Sequence, residues 1–183
     1  MGKFAVIDTE TNWADQVMSI GVVIADGDTF EALAARYYVF PKPCEDGGMY
    51  SAALFIDTPV APIMCEREEA MNDLCIWLNS CEVRAVFAYN AAFDRNHLPE
   101  LSEFRWYDIM RLAAYRQHNP KIPAAADCFS TGRLKRGYGV EPMLRLLSGN
   151  RAYRETHNAL HDAMDELKIM RLMGHPLQNY IPL

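Results

Sequence analysis

This sequence has little that would build a covalent or membrane-bound scaffold. Its five cysteines (Cys44, Cys65, Cys75, Cys81 and Cys128) are odd in number, and no two follow a Cys-x-x-Cys spacing. That argues against a disulfide framework and against a structural zinc site. Cys75 falls in a helical apolar pattern and reads as a core residue. No apolar run approaches the roughly 20 residues that cross a bilayer. The opening Met1-Gly2-Lys3-Phe4-Ala5-Val6-Ile7-Asp8 is cut short by an acid. It lacks the longer apolar stretch and small-residue cleavage site of a signal peptide, so the expected location is cytoplasmic, with no membrane partner. Internal repeats and low-complexity segments are also missing. So is an excess of positive charge: 18 Lys/Arg stand against 24 Asp/Glu, a net charge of −6. Taken alone, that speaks against a nucleic-acid partner.

The distribution of charge changes that reading. Residues 105–154 hold ten Lys/Arg against three Asp/Glu, a local balance of +7, and the remainder balances at −13. Such asymmetry fits a phosphate-binding surface beside an acidic centre, or basic residues scattered over solvated faces. The 183 residues, half of them hydrophobic and 23% charged, suit one domain, 1–183, with an ordinary core.

Apolar patterning predicts strands over Phe4–Ile7, Val17–Ala25 and Leu33–Phe40, the last stopped by Pro41 and Pro43. Three strands with short connections suggest an antiparallel meander. Helical spacing follows over Glu66–Asn79, with Glu66, Glu68 and Glu69 crowding the first turn. Val83–Tyr89 reads as a strand with a helix from Ala91. Phe104–Ile109 reads as a fifth strand leading into a helix up to about Gln117. Val140–Leu147 and Leu160–Leu172 read as two more helices, and the last ten residues as a tail on the surface. Lys121–Gly139 has no period and carries Arg133, Lys135 and Arg136, a long loop of the functional or mobile kind. The sum is an α/β arrangement: a mixed five-stranded sheet, antiparallel meander first and parallel strands after, flanked by helices.

Three clusters of polar residues stand at the ends of these elements. Asp8-Thr9-Glu10 follows the first strand, and alternation places Asp8 and Glu10 on one side. Paired carboxylates repel unless a cation lies between them, and hard oxygen ligands suit magnesium or manganese. Two solvated loop acids would give the same pattern. Asp94 follows the fourth strand in Asn90-Ala91-Ala92-Phe93-Asp94. Asn90 there suits a helix N-cap, and Asp94 lies a turn into the helix. In the third cluster, Thr156 to Leu167, Leu160, Met164, Leu167 and Met170 form an apolar stripe from which Asp162 points away. His157 is better placed at or before the helix start. His157 and His161 are four apart, as in a His-Glu-x-x-His zinc motif, but Asn158 stands where that motif needs its Glu. His161 and Asp165 read as a helix-surface pair.

In order, FAVIDTET, FAYNAAFD and HNALHDA resemble the DEDDh, or DnaQ-like, 3′–5′ exonucleases with a ribonuclease H-like fold. The resemblance runs from Phe4 to about Leu172. It implies that Asp8, Glu10, Asp94 and Asp162 hold two divalent metal ions, Mg2+ or Mn2+, and that His157 is the general base, with Glu10 also in the catalytic set. Asn90 and Phe93 match the second motif around its acid. Thr11, Asn12 and Asn90 are the candidate contacts to the terminal nucleotide, and Arg133, Lys135 and Arg136 to backbone phosphates. The implied partner is nucleic acid, at single-stranded 3′ ends. A homodimer, and a polymerase or repair partner, are the further assemblies the family suggests. Two positions depart from many members: Tyr89 stands where a His precedes the Asn, and Ser19 where a Glu stands in the second strand. The rival expectations are a non-catalytic nucleic-acid binding module of the same fold and a zinc hydrolase of small molecules.

Overall fold

A computed structural model describes residues 2–183. One six-stranded sheet organises them, in the order β4-β3-β2-β1-β5-β6. β1 (Lys3–Thr11), β2 (Val17–Asp26) and β3 (Ala32–Val39) form the antiparallel meander. β5 (Ala85–Ala88) then runs parallel to β1, and β6 (Arg105–Asp108) parallel to β5. The sixth strand, β4 (Ile63–Met64), lies parallel to the outer edge of β3. The five-strand expectation missed it because two exposed residues carry no period.

Among the described residues six α-helices accompany the sheet: α1 (Pro41–Glu45), α2 (Arg67–Ser80), α3 (Ala92–His97), α4 (Met110–Ala113), α5 (Val140–Ser148) and α6 (Ala159–Met173). α2 begins with a capping box in which Glu66 and Glu69 satisfy each other's backbone N–H groups. α4 stops at Ala113, short of the expected Gln117. The reason is a competing partner. Ala114 accepts a hydrogen bond from Leu134 N–H at 2.9 Å, and Arg116 N–H donates to Gly132 at 3.0 Å. The segment that showed no period therefore contains a small hairpin, with Lys135 N–H donating to Asp127 and Phe129 N–H to Arg133. The tail packs on the surface only in part: Leu183 N–H donates to Trp106 of the edge strand β6 at 2.9 Å, whereas Tyr180 is buried in the core against Phe87.

Side-chain alternation along β1 decides where the site can be. Ala5 and Ile7 face a core shared with α2. Phe4 and Val6 face the opposite core, shared with α5 and α6. Asp8 and Glu10 continue the second parity, so the strand delivers them towards α6. Gly21 pairs with Asp8 in register. A Cβ there would fall 2.1 Å from the Ala159 carbonyl oxygen, so only glycine lets the start of α6 lie directly on β2.

Candidate active site

The first two acids come from β1. Glu10 is buried, and Asp8 is half-buried with its Oδ2 enclosed and unpartnered. Asp94 lies in the first turn of α3. Its Oδ1 accepts from Thr9 N–H at 3.0 Å and from the Thr9 hydroxyl at 2.8 Å. Thr9, between the two β1 acids, thereby fixes the third.

Asn90 does not cap α3. Ala91 takes that position, without a side-chain cap. Asn90 instead turns the chain with φ of 64°, a left-handed conformation that Asn tolerates, and its N–H donates to Asp108 at 3.0 Å. Its side chain is exposed.

The fourth acid and the histidine come from the start of α6. Asn158 is the N-cap: its Oδ1 accepts from Leu160 N–H at 3.2 Å and His161 N–H at 3.3 Å. Its Nδ2 donates to the Tyr37 hydroxyl at 3.0 Å and the Ala53 carbonyl at 2.8 Å. His157 precedes that cap with φ of 55° and stands free of the helix, as its spacing from Asp162 predicts. The expected stripe on α6 is only partly right. Met164 is 37% exposed, whereas Asp162 is 3% exposed. α6 is covered by both the sheet and α5, so its acids sit on a covered face. His161 meets the Thr156 hydroxyl, while Asp165 accepts from the Tyr153 hydroxyl, so the expected His161–Asp165 pair is not formed.

Glu10, His157 and Asp162 each offer a ligand atom, all within 4.8 Å of one another. Like charge and burial act together on this floor. Burial, then the charges of Glu155 and Asp94, push Glu10 up to about 8. Burial, then Glu155, Glu10 and Asp165, push Asp162 up to about 9. Burial raises Asp94 to about 7 in spite of the Thr9 hydrogen bonds. Asp8 lies well above the usual carboxylate range, through burial and then Asp94, Glu166, Asp162 and Glu10. Burial holds the His157 imidazole below its ordinary value. Among the described residues, three enclosed carboxylate oxygens have no partner: Asp8 Oδ2, Asp162 Oδ1 and Glu166 Oε2. Hard, unsatisfied oxygen donors beside a histidine nitrogen fit a divalent cation, which relieves both the repulsion and the missing hydrogen bonds.

Thr11 and Asn12 line a cavity of about 400 Å³ beside Glu10. Trp13, Met49, Tyr50 and Phe93 give it an apolar wall. The Asn12 side chain is committed to its own turn, accepting from Ala14 and Gln16 N–H and donating to Gln16 and Pro43. Arg133, Lys135 and Arg136 lie on the hairpin rather than among the acids. Tyr89, the departure in the second motif, anchors the following segment by donating to the Tyr138 carbonyl. Arg133 lies over the rings of Phe129 and Tyr138, at 4.9 and 5.2 Å from their centroids. Lys135 pairs with Asp127 at 3.0 Å, and Arg136 is exposed. Ser19, the other departure, faces Glu10 across the β1–β2 ladder.

Four residues of this neighbourhood escaped the motif reading: Tyr50, Glu155, Glu166 and Gly21. Tyr50 stacks on His157, with centroids 3.8 Å apart and planes at 14°. No motif marks it, since it sits in the turn after α1. A glycine within an otherwise apolar β2 was the one available signal for Gly21.

No sequence-family model matches the chain, and no curated protein matches it in sequence. Solved structures do. The nuclease domain of 3′hExo, a DEDDh family member, bound to rAMP, superposes with a TM-score of 0.66 at 14% identity, over 99% of this chain and 96% of that one. A full-length 3′-exonuclease gives 0.64 at 15% identity, over 97% and 82%. E. coli exonuclease I in complex with single-stranded DNA gives 0.60 at 12% identity, over 94% of this chain and 40% of that one. The chain thus has the ribonuclease H-like fold of DEDDh 3′ exonucleases. Its own acids and histidine must carry the functional argument, because likeness at this identity defines the fold alone.

Proposed function

We propose that residues 1–183 form a metal-dependent 3′–5′ exonuclease that removes 5′-mononucleotides from single-stranded 3′ ends of DNA or RNA. The observation that carries this reading is the convergence of Glu10, His157 and Asp162 within 4.8 Å, beside the unpartnered Asp8 Oδ2. Clustered acids repel phosphate, so a purely binding module would gain nothing from them.

Asp8, Glu10, Asp94 and Asp162 would hold two divalent cations, Mg2+ or Mn2+. When bound, these neutralise the phosphodiester and stabilise the leaving 3′ oxygen. His157 takes a proton from the attacking water at a ring nitrogen. Its lowered affinity for protons keeps it in the base form near neutral pH. Thr9 holds Asp94 still, and the Asn158 cap holds the start of α6. The terminal base lies against Trp13, Met49 and Phe93, and the backbone behind it runs towards Arg133 and Arg136.

The direct test is a 3′-end-labelled single-stranded oligonucleotide in Mg2+. Immediate release of labelled 5′-mononucleotide supports the proposal. Early release of the label in a longer fragment, or its release only after the rest of the strand is degraded, contradicts it. Parallel digestion of single-stranded DNA, duplex DNA, long RNA and short oligoribonucleotides then assigns the substrate.

A further inference from the structure

The motifs account for four acids, yet a fifth lies beside them, and the proposed chemistry does not use it. Glu166 follows Asp162 by one turn of α6 and is 1% exposed. It lies beside the Tyr89 N–H at the end of β5. Its Oε2 is enclosed and has no hydrogen-bond partner. Among the described residues no Lys, Arg or His forms an ion pair with it.

Burying a carboxylate without compensation is among the costliest choices a core can make. Facing the Tyr89 N–H needs only a single neutral acceptor, which glutamine would provide. The charge and the second oxygen are surplus to it. They lie one turn of α6 from Asp162, whose Oδ1 is enclosed and unpartnered, on the side of the sheet towards which β1 delivers Asp8, whose Oδ2 is in the same condition. Asp8 Oδ2 on β1, and Asp162 Oδ1 and Glu166 Oε2 on α6, each lack the partner that a hard cation supplies.

We infer that Glu166 is a fifth carboxylate of the cation site, drawing a divalent metal ion into the floor through its free Oε2. This rests on the metal-dependent reading of Asp8, Glu10, Asp94 and Asp162. It adds that the site binds its cation more tightly than those four acids alone would. It also makes the metal-free protein carry the cost of the extra buried acid.

The test is titration of the metal-free full chain with Mn2+ by calorimetry, alongside thermal unfolding in EDTA. It compares wild type with Glu166→Gln, Glu166→Met and Asp8→Asn. Glu166→Gln keeps the acceptor for Tyr89 and removes the charge. It should fold, melt no lower than wild type in EDTA, and bind Mn2+ about tenfold more weakly. Glu166→Met should weaken binding at least as much. Mn2+ affinities of both variants within twofold of wild type would overturn the inference. Failure of Glu166→Gln to fold would overturn it as well. If wild type binds no Mn2+, or Asp8→Asn leaves its binding unchanged, the metal-site reading itself falls. Weakening by Asp8→Asn but not by Glu166→Gln isolates the failure to Glu166.

Discussion

The ring of Tyr50 stacks on that of His157, 3.8 Å centroid to centroid, and this is the contact that orients the imidazole. No hydrogen bond to either His157 ring nitrogen forms among the described residues, whereas His97 has two and His161 and His175 have one each. Asn158 organises both partners, since it caps α6 and also holds the Ala53 carbonyl in the turn after Tyr50.

Replacing Tyr50 by leucine should therefore lower kcat by roughly 10- to 100-fold, the range expected when a base loses its orientation. KM should move little, and Tyr50→Phe should retain most activity. Steady-state kinetics across pH checks this, with the acidic limb moving upward in Tyr50→Leu as His157 gains solvent. A raised KM with unchanged kcat would assign Tyr50 to substrate binding instead.

Gly21 supplies a second handle. Its missing Cβ is where the Ala159 carbonyl sits, so Gly21→Ala must push α6 away from β2. Overpacking of this kind costs about 1–3 kcal/mol. It should also weaken Mn2+ binding, because Asp162 rides on the displaced helix. Chemical denaturation and metal titration check both effects. Unchanged metal binding in a folded Gly21→Ala protein would separate the helix position from the site.

The acids set a pH dependence whose sign is opposite to that of ordinary surface carboxylates. Glu10 at about 8, Asp94 at about 7 and Asp162 at about 9 all exceed their ordinary values, so the folded chain binds these protons more tightly than the unfolded chain. That contribution is present below the ordinary carboxylate range and is lost as pH rises through those values. In EDTA, the melting temperature should fall between roughly pH 5 and pH 9. The gain on adding Mg2+ should grow over the same interval. A flat or rising EDTA curve would remove this account of the floor.

Much of this was legible beforehand, and the remainder shows why some was not. β1 and β2 announce themselves by uninterrupted apolar runs, and α6 by its spacing. The placement of His157 before that helix follows from five residues being a poor fit to 3.6 per turn. Glu166 was invisible because an acid on a helix reads as solvent-facing until a second layer covers it. The hairpin around Arg133 was invisible because its pairing partners, Ala114 and Arg116, lie in another segment. β4 is too short to have a pattern.

Charge on that hairpin should matter unequally. Arg136 is exposed and Arg133 is held over two aromatic rings, whereas Lys135 is engaged with Asp127. Arg133→Ala and Arg136→Ala should each raise KM and reduce the salt dependence of binding by a slope of roughly 1. Lys135→Ala should have the smaller effect. Binding isotherms at several salt concentrations check this, and three equal effects would argue for a diffuse field instead.

The central claim is tested most directly with a 5′-labelled single-stranded oligonucleotide digested in Mg2+ by wild type, His157→Ala and Asp162→Asn. The site described here predicts a ladder of products shortened one nucleotide at a time in wild type, abolished by EDTA and lost in both variants. Ladders of equal intensity from all three proteins, or an internal cut in wild type, would contradict it.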